Sequence, residues 1–342
     1  MPAALQPEVL STSAQLDALL HRAAIAPLSD IAWIRVTGAD RVRWLNGMVT
    51  NSIQSLAPGQ GNYNFALNAQ GRIQADLIAF ALEDQILLET TRDQIAPLLA
   101  HLDHFIIMDD VELTGITSER HGLLLAGPGA AHILTSINLT IPQSSTLAFQ
   151  SIVWHAATIE IIHAHSPLIP RFELWSDPIT IASLTEAITA AGATPVTPEA
   201  LEHLRLLSGT PRYGIDIRDT EKSRDLPQET NQPHALNFTK GYYLGQEIVE
   251  RIHSRGAVHR TLTGLLLTGP LPTPGTAIEA EGKAVGEITS AASIPLPTGP
   301  IQLALAYLRR EALAEAQSNR LTLTYPAGTA TPIALPYTIP PL

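Results

Sequence analysis

The sequence contains no cysteine among its 342 residues. This absence excludes disulfide bonds, cysteine nucleophiles and the ligation of zinc or iron–sulfur clusters by thiolates of the protein. It also means that the redox state of the compartment cannot be inferred from cysteine usage. Tandem repeats of the length that builds solenoids are absent as well.

Long apolar runs and basic segments are also missing. No uncharged run reaches the length of about 18 residues that a membrane helix requires, so we expect no membrane span. The first residues lack the basic start and apolar core of a secretory signal, and no Arg-rich transit segment is present, which predicts a cytoplasmic protein. The formal charge of −11, with no basic run, leads us to expect no direct nucleic-acid binding.

Apolar residues make up 45% of the chain, which is enough to bury cores in two or three compact units. Mixed helix and strand patterns predict an α+β body, and short strands separated by turns from Thr261 onward predict a small β-barrel or sandwich. The stretch 208–236 is rich in Gly, Pro and charge and predicts a long ordered crossing loop. The predicted domains are an N-terminal α+β unit at 1–120, to which part of 205–258 returns, a second α+β unit at 121–204, the crossing loop with its following segment at 205–258, and a β-barrel at 259–342.

The densest group of polar residues lies in the segment KGYYLGQE, residues 240–247, which we call the signature segment. Its two glycines permit tight turns or the close approach of a ligand. Its polar and aromatic side chains, with the arginine that follows, could hold a polar heterocycle and an acidic tail. These residues are Lys240, Tyr242, Tyr243, Gln246, Glu247 and Arg251. The same pattern is also typical of a glycine-bounded surface turn before a charged helix.

The signature segment resembles the KGCYxGQE motif of YgfZ-type folate-binding proteins, which belong to the superfamily of the glycine-cleavage T-protein. Tyr242 stands where that motif has cysteine. Further matches in the same order extend the resemblance over roughly residues 30 to 325. They are Trp44–Asn51, Asn68–Asp76, Leu204–Asp216, Leu226–Glu229, Arg260–Gly264 and Gly282–Ser290.

The resemblance implies a T-protein-like α+β fold, in which two ferredoxin-like units surround a central cavity and a C-terminal β-barrel follows. It implies tetrahydrofolate or a one-carbon derivative as cofactor. The function implied first is that of a tetrahydrofolate-binding accessory protein in iron–sulfur cluster assembly or repair, linked only indirectly to tRNA modification. Its partners would be a reduced folate and the assembly or client proteins of iron–sulfur enzymes.

The resemblance also implies site residues. In the T-protein an aspartate at the end of a hairpin helps to orient the reacting folate nitrogen, and a tyrosine thirteen positions earlier lines the pterin pocket. Asp76 and Tyr63 match these positions, so Asp76 is the candidate catalytic residue. The implied cofactor-binding residues are Tyr63, Asp76, Arg205, Glu229, Lys240, Tyr242, Tyr243, Gln246, Glu247 and Arg251.

Two departures from the family pattern affect the implied function. Leu207 stands where the T-protein has glutamate, which favours the YgfZ-type branch over a glycine-cleavage enzyme. Tyr242, with a reference pKa of about 10, is a poor replacement for a thiolate at neutral pH. The alternatives are a folate-dependent aminomethyltransferase or demethylase, and a non-catalytic folate-binding scaffold.

Two histidine pairs have spacings that metal sites use, namely His101 with His104 and His163 with His165. The sequence places no third ligand beside either pair. With twelve histidines in the chain such pairs are expected by chance, so we predict no metal site.

Overall fold

The computed structural model describes residues 10–141, 146–220, 224–256 and 258–340, without the side chain of Arg255. The helices are α1 (Thr12–His21), α2 (Arg41–Met48), α3 (Ile95–Asp103), α4 (Ala130–Ser136), α5 (Pro178–Ala190), α6 (Pro198–Ser208), α7 (Gln246–Arg255) and α8 (Arg310–Gln317). The first eleven strands are β1 (Ala24–Pro27), β2 (Ile31–Thr37), β3 (Gln60–Leu67), β4 (Ile73–Ala81), β5 (Ile86–Thr91), β6 (Glu112–Gly115), β7 (His121–Ala126), β8 (Phe149–Trp154), β9 (Ala157–His163), β10 (Arg171–Ser176) and β11 (Thr194–Pro195). The last six are β12 (Arg260–Thr268), β13 (Ala277–Ala280), β14 (Lys283–Leu296), β15 (Gly299–Arg309), β16 (Leu323–Tyr325) and β17 (Gly328–Ile333).

The first sheet has the strand order β3-β4-β5-β2-β6 and is antiparallel throughout. Successive side chains of a strand point to opposite faces. On β4, Ala75 and Leu77 pack with residues of α2 and α3 in one core. The alternate residues of β4, Asp76 and Phe80 among them, therefore face the opposite, inner side of the sheet.

The second sheet has the order β11-β1-β7-β10-β9-β8 and is antiparallel except where β1 pairs with β11. Helices α4 and α5 cover its outer face. The predicted N-terminal unit, 1–120, differs from this arrangement because β1 pairs with β7 and belongs to the second sheet. Strand β1 has four residues, too few to show a recognisable alternation of apolar and polar side chains. In the structure Ile25 faces the outer core, while Ala24 and Ala26 face the central core.

The inner faces of the two sheets meet in a single central core that also includes α1, α6 and part of the barrel. Trp33 of the first sheet and Trp175 of the second stand edge to face, with ring centroids 5.1 Å apart. Leu207 of α6 is fully buried in the same core. The central core thus joins α1, the two sheets, α6 and the barrel.

The C-terminal strands close into a barrel in the order β12-β15-β14-β13-β16-β17, as the sequence predicted. Strand β17 and helix α8 were not predicted. Strand β6 begins only at Glu112, so residues 104–111 between α3 and β6 do not belong to the sheet. Ile107 and Met108 are 83% and 94% exposed, so these apolar side chains have no sheet face to pack against. The crossing segment runs from the end of α6 to the start of α7, and its regular structure among the described residues consists of two short 3₁₀ turns, at Pro227–Glu229 and Pro233–Ala235.

No helix in the described ranges is long and apolar enough to cross a membrane. In the same ranges, no group of three or more His, Asp or Glu side chains could hold a metal ion.

Candidate functional site

Asp76 lies on the inner face of the first sheet and accepts two side-chain hydrogen bonds. Its Oδ2 accepts from the Tyr63 hydroxyl at 2.7 Å, and its Oδ1 accepts from the Gln94 amide at 2.7 Å. Gln94 in turn accepts from the Asp76 backbone N–H at 3.0 Å. The hairpin register places Tyr63 opposite Ile78 and Phe65 opposite Asp76, so the two site residues are diagonal neighbours on one face. The spacing of thirteen residues is therefore the spacing that brings them together.

The Asp76 carboxyl group is only partly accessible to solvent, and this burial raises its pKa. The bonds from Tyr63 and Gln94 act in the opposite direction with smaller effect. Burial first, and the Asp76 charge second, raise the pKa of Tyr63 well above its usual range, so its hydroxyl stays a donor. Each carboxylate oxygen has a second lone pair, so Asp76 can still accept a hydrogen bond from a ligand.

A row of aromatic rings continues from Tyr63. The His234 ring lies 5.3 Å from the Tyr63 ring, and the His165 ring lies 4.7 Å from that of His234. Burial lowers the pKa of each histidine, with Arg171 adding to the effect at His165 and His165 at His234, so both rings are neutral at pH 7. Both imidazoles retain exposed surface. The row therefore offers neutral ring faces to a flat ligand.

A cleft of about 310 Å³ lies beside this row. The residues on either side of His165 in the sequence form part of its lining, and Arg171 of β10 forms another part. Its full lining is Thr146, His163, Ala164, Ser166, Pro167, Leu168, Ile169, Pro170 and Arg171. The volume is at the lower end of the range for small-molecule sites.

The signature segment is attached to the first sheet through Lys240. Its Nζ donates to three backbone carbonyls, those of Asn46 at 2.6 Å, Val49 at 2.7 Å and Asn51 at 2.6 Å. Burial lowers the pKa of Lys240 to about 7. Three carbonyl acceptors match the three protons of an ammonium group. Lys240 therefore links the signature segment to α2 and to the loop between α2 and β3.

The two tyrosines of the signature segment have opposite environments. Tyr243 is fully buried in a core with Phe65 of β3, whereas Tyr242 is 79% exposed. The Gln246 side chain accepts from the Tyr243 backbone N–H at 3.2 Å, and Glu247 and Arg251 are exposed. No hydrogen bond between described residues joins these side chains to Tyr63 or Asp76. Their contact with folate stays a prediction.

Arg205 and Glu229 connect the crossing segment to its neighbours. Arg205 donates to Asp216 at 2.6 Å and to Ser290 of the barrel at 3.0 Å. Glu229 accepts from Arg260 of the barrel at 3.2 Å. Both predicted ligand-binding residues therefore hold ion pairs or hydrogen bonds between parts of the fold, and a folate contact for either stays a prediction.

Sequence reasoning missed Gln94, His165 and His234. Each comes from a segment distant from the β3–β4 hairpin, and none belongs to a recognisable motif. The only signal was the spacing of His165 from His163, which suggested a metal pair. The structure instead stacks His163 on Phe172 at 5.1 Å and directs His165 toward His234.

Comparison with known protein families yields two matches. Residues 8–227 match the GCVT N-terminal domain, and residues 259–340 match the CAF17 C-terminal β-barrel domain. A chloroplastic protein of Arabidopsis thaliana, provisionally named a transferase, is 26% identical over 87% of this chain and 68% of its own length. The aminomethyltransferase of Frankia alni is 27% identical over 85% of this chain and 80% of its own. The aminomethyltransferase of Halalkalibacterium halodurans is 26% identical over 88% of this chain and 83% of its own length.

Among solved structures, the glycine-cleavage aminomethyltransferase T of Bartonella henselae superimposes with a TM-score of 0.81 at 21% identity. The match covers 96% of this chain and 89% of that protein. At this level of identity the likeness concerns the fold. It confirms the predicted T-protein-like α+β body with a C-terminal β-barrel.

The glycines of the signature segment give the first prediction. Gly245 has φ +81°, and a Cβ there would lie 2.6 Å from the Asn68 carbonyl oxygen of the β3–β4 turn. Gly241 has a negative φ and no described atom beyond its chain neighbours within 4 Å of such a Cβ. We expect Gly245→Ala to lower the unfolding midpoint by about 3 °C or more, and Gly241→Ala to leave it unchanged. Equal unfolding midpoints of the two variants, measured by differential scanning calorimetry, would contradict the close approach of Asn68 to Gly245.

A second prediction concerns pH. Because the pKa of Asp76 is raised on folding, its contribution to stability is greatest below the unfolded value of about 3.9 and is lost as pH rises through the folded pKa. We expect Asp76→Asn to unfold at the same or a higher temperature than wild type at pH 8, with a difference that shrinks as the pH falls through the folded pKa of Asp76. Thermal unfolding of both proteins, measured from pH 8 downward, tests this expectation. An Asp76→Asn variant that is clearly less stable than wild type at pH 8 would refute it.

Proposed function

Because this chain belongs to the family of the GCVT N-terminal domain, we propose that it binds a reduced folate against Asp76. The observation that carries the proposal is the half-buried Asp76 carboxylate, held by Tyr63 and Gln94 with acceptor capacity to spare. Folding retains this carboxylate in a position where burial disfavours its charge. A group kept at such a cost is typical of a binding or catalytic site.

The residues present fit a reduced folate. The pterin is a flat heterocycle with N–H donors, and Asp76 is an acceptor beside the ring row of Tyr63, His234 and His165. When bound, the folate supplies the nitrogen atoms that carry one-carbon units. The protein's own part is to orient that heterocycle through Asp76 and to shield one side of it from water with the aromatic rings.

Within the family we place the protein with the accessory proteins of iron–sulfur cluster assembly or repair. Leu207, where the T-protein has glutamate, is fully buried in the central core. A carboxylate is therefore missing from a position where a glycine-cleavage enzyme would use it. The match of residues 259–340 to the CAF17 barrel supports the same branch. Since the chain has no cysteine, its role on this branch does not use a thiolate at Tyr242.

A second candidate function is one-carbon transfer itself. It is favoured by Asp76, which could polarise a folate nitrogen, and by the bacterial relatives that are named aminomethyltransferases. Turnover of an amine donor that requires tetrahydrofolate and disappears in Asp76→Asn would establish it. Binding without turnover favours the accessory role.

Folate affinity gives the third prediction. Asp76→Asn removes a charged acceptor but preserves size, so we expect tetrahydrofolate to bind about 10- to 100-fold more weakly by isothermal titration calorimetry. Asp84→Asn is the matched control, because it makes the same change in an exposed turn beyond the far end of β4. Its affinity should equal that of wild type. The proposal fails if wild type binds no reduced folate, or if both variants bind equally well.

The accessory role gives the fourth prediction. In a bacterial strain that lacks its own YgfZ-type protein, we expect the wild-type chain to restore the activity of iron–sulfur enzymes and Asp76→Asn to fail. Tyr242→Cys should restore activity to the same extent as wild type, because Tyr242 is exposed and the chain works without a thiol. Rescue by Tyr242→Cys alone would show that the native chain has left this role.

A further inference from the structure

Arg171 is the first residue of β10 and forms part of the lining of the cleft beside the ring row. On β10, Phe172 and Leu174 pack in the outer core, whereas Trp175 packs in the central core. Because side chains alternate along a strand, Arg171 and Glu173 belong to the inner face together with Trp175. The inner face of the second sheet thus carries an arginine to the border of the cleft.

The Arg171 guanidinium is held in place and keeps donors for a ligand. Its Nη2 donates to Glu173 Oε1 at 2.6 Å, and Glu173 also accepts from the Trp175 indole at 3.3 Å. Glu173 is 2% exposed, so a buried carboxylate orients the guanidinium. The Arg171 side chain is 33% exposed, and its Nε has no hydrogen-bond partner among the described residues. A guanidinium has five N–H donors, so Arg171 can pair with a second acceptor.

The cleft presents the charge of Arg171 without a negative charge beside it. Among the described residues that line the cleft, Arg171 is the one with a charge, and Thr146, His163 and Ser166 are neutral polar groups. Glu173 is buried and does not belong to the lining. A guanidinium with hydroxyl donors nearby suits a carboxylate. The volume of about 310 Å³ is at the lower end for small-molecule sites, so the cleft suits one end of a folate.

The ring row leads from Asp76 to this cleft. Tyr63 donates to Asp76 at 2.7 Å, and the steps between ring centres are 5.3 Å from Tyr63 to His234 and 4.7 Å from His234 to His165. The residues on both sides of His165 in the sequence line the cleft. A tetrahydrofolate consists of a pterin, then a benzoyl ring, then a glutamate with its carboxylates. The protein offers a carboxylate, ring faces and a guanidinium in the same order.

We propose that Arg171 pairs with a carboxylate of the folate's glutamate tail in this cleft. The inference rests on the proposed function and adds a second point of attachment, which lies on the second sheet. A planar guanidinium fits a carboxylate because two parallel N–H groups can donate to its two oxygens. Glu173 orients Arg171 for this contact, and the tail takes the place of water at the exposed side of the guanidinium.

The test compares two ligands that share the reduced pterin, tetrahydrofolate and 6-methyltetrahydropterin, of which only the first carries the glutamate tail. By isothermal titration calorimetry, we expect wild type to bind tetrahydrofolate more tightly than the pterin. Arg171→Gln should weaken tetrahydrofolate binding about 10- to 100-fold, the effect of one lost hydrogen-bonded ion pair, and leave the pterin affinity unchanged. Asp76→Asn should weaken the binding of both ligands.

Arg35→Gln is the matched control. Arg35 is 36% exposed and pairs with Glu119 at 3.0 Å, but it does not line the cleft. Both of its affinities should equal those of wild type. Because Arg171→Gln leaves the buried Glu173 without its ion pair, the double variant Arg171→Gln/Glu173→Gln removes both charges. We expect the same selective loss of tetrahydrofolate binding in the double variant.

The inference is overturned if Arg171→Gln and the double variant bind tetrahydrofolate as wild type does while Asp76→Asn weakens both ligands, a result that leaves the proposed function standing. It is also overturned if Arg171→Gln weakens both ligands equally, since the loss would then not concern the tail. If wild type binds neither ligand, the proposed function fails and the inference fails with it.

Discussion

The burial of the Asp76 carboxylate, where two sheets pack together, is the physical constraint on which the candidate site depends. Burial penalises the charge of Asp76, and the hydrogen bonds from Tyr63 and Gln94 offset part of that cost. The inner face of the same sheet elsewhere carries Trp33 and Phe80, which pack in the central core. The fold thus fills most of the junction with apolar side chains and keeps a polar group where a ligand could use it.

The crossing segment holds this arrangement together. It runs from the second unit to the barrel and is fixed at both ends by charged groups with several partners. At its start Arg205 binds Asp216 and Ser290, and at its end Lys240 binds three backbone carbonyls of the first unit. Because the segment has little regular structure, these contacts take the place of a helix or strand in positioning His234 beside Tyr63.

The local part of the site could be predicted from the sequence. Tyr63 and Asp76 lie in one hairpin, and in a hairpin sequence spacing and register together determine which side chains are neighbours. The barrel was predictable because turn residues separate its strands, although β14 and β15 are longer than the short strands that the sequence indicated. Leu207 was identified as a departure from the family pattern. Its side chain has no polar atom and is fully buried.

The remainder depends on contacts between distant segments. Gln94, His165 and His234 reach the site from three separate parts of the chain, and nothing in their local sequences marks them as neighbours of Asp76. The same limit explains the second-sheet strand β1, whose partners β7 and β11 lie about 100 and about 170 residues further along the chain. The exposure of the apolar residues Ile107 and Met108 reflects the same limit, because periodicity alone does not reveal whether a partner surface exists.

The central claim is that Asp76 and the rings beside it receive a reduced folate. A crystal structure of the protein grown with tetrahydrofolate tests this most directly. The account predicts density for the pterin within hydrogen-bond distance of the Asp76 carboxylate and against the rings of Tyr63 and His234. A folate bound elsewhere, with the Asp76 carboxylate contacting only Tyr63 and Gln94, would contradict it.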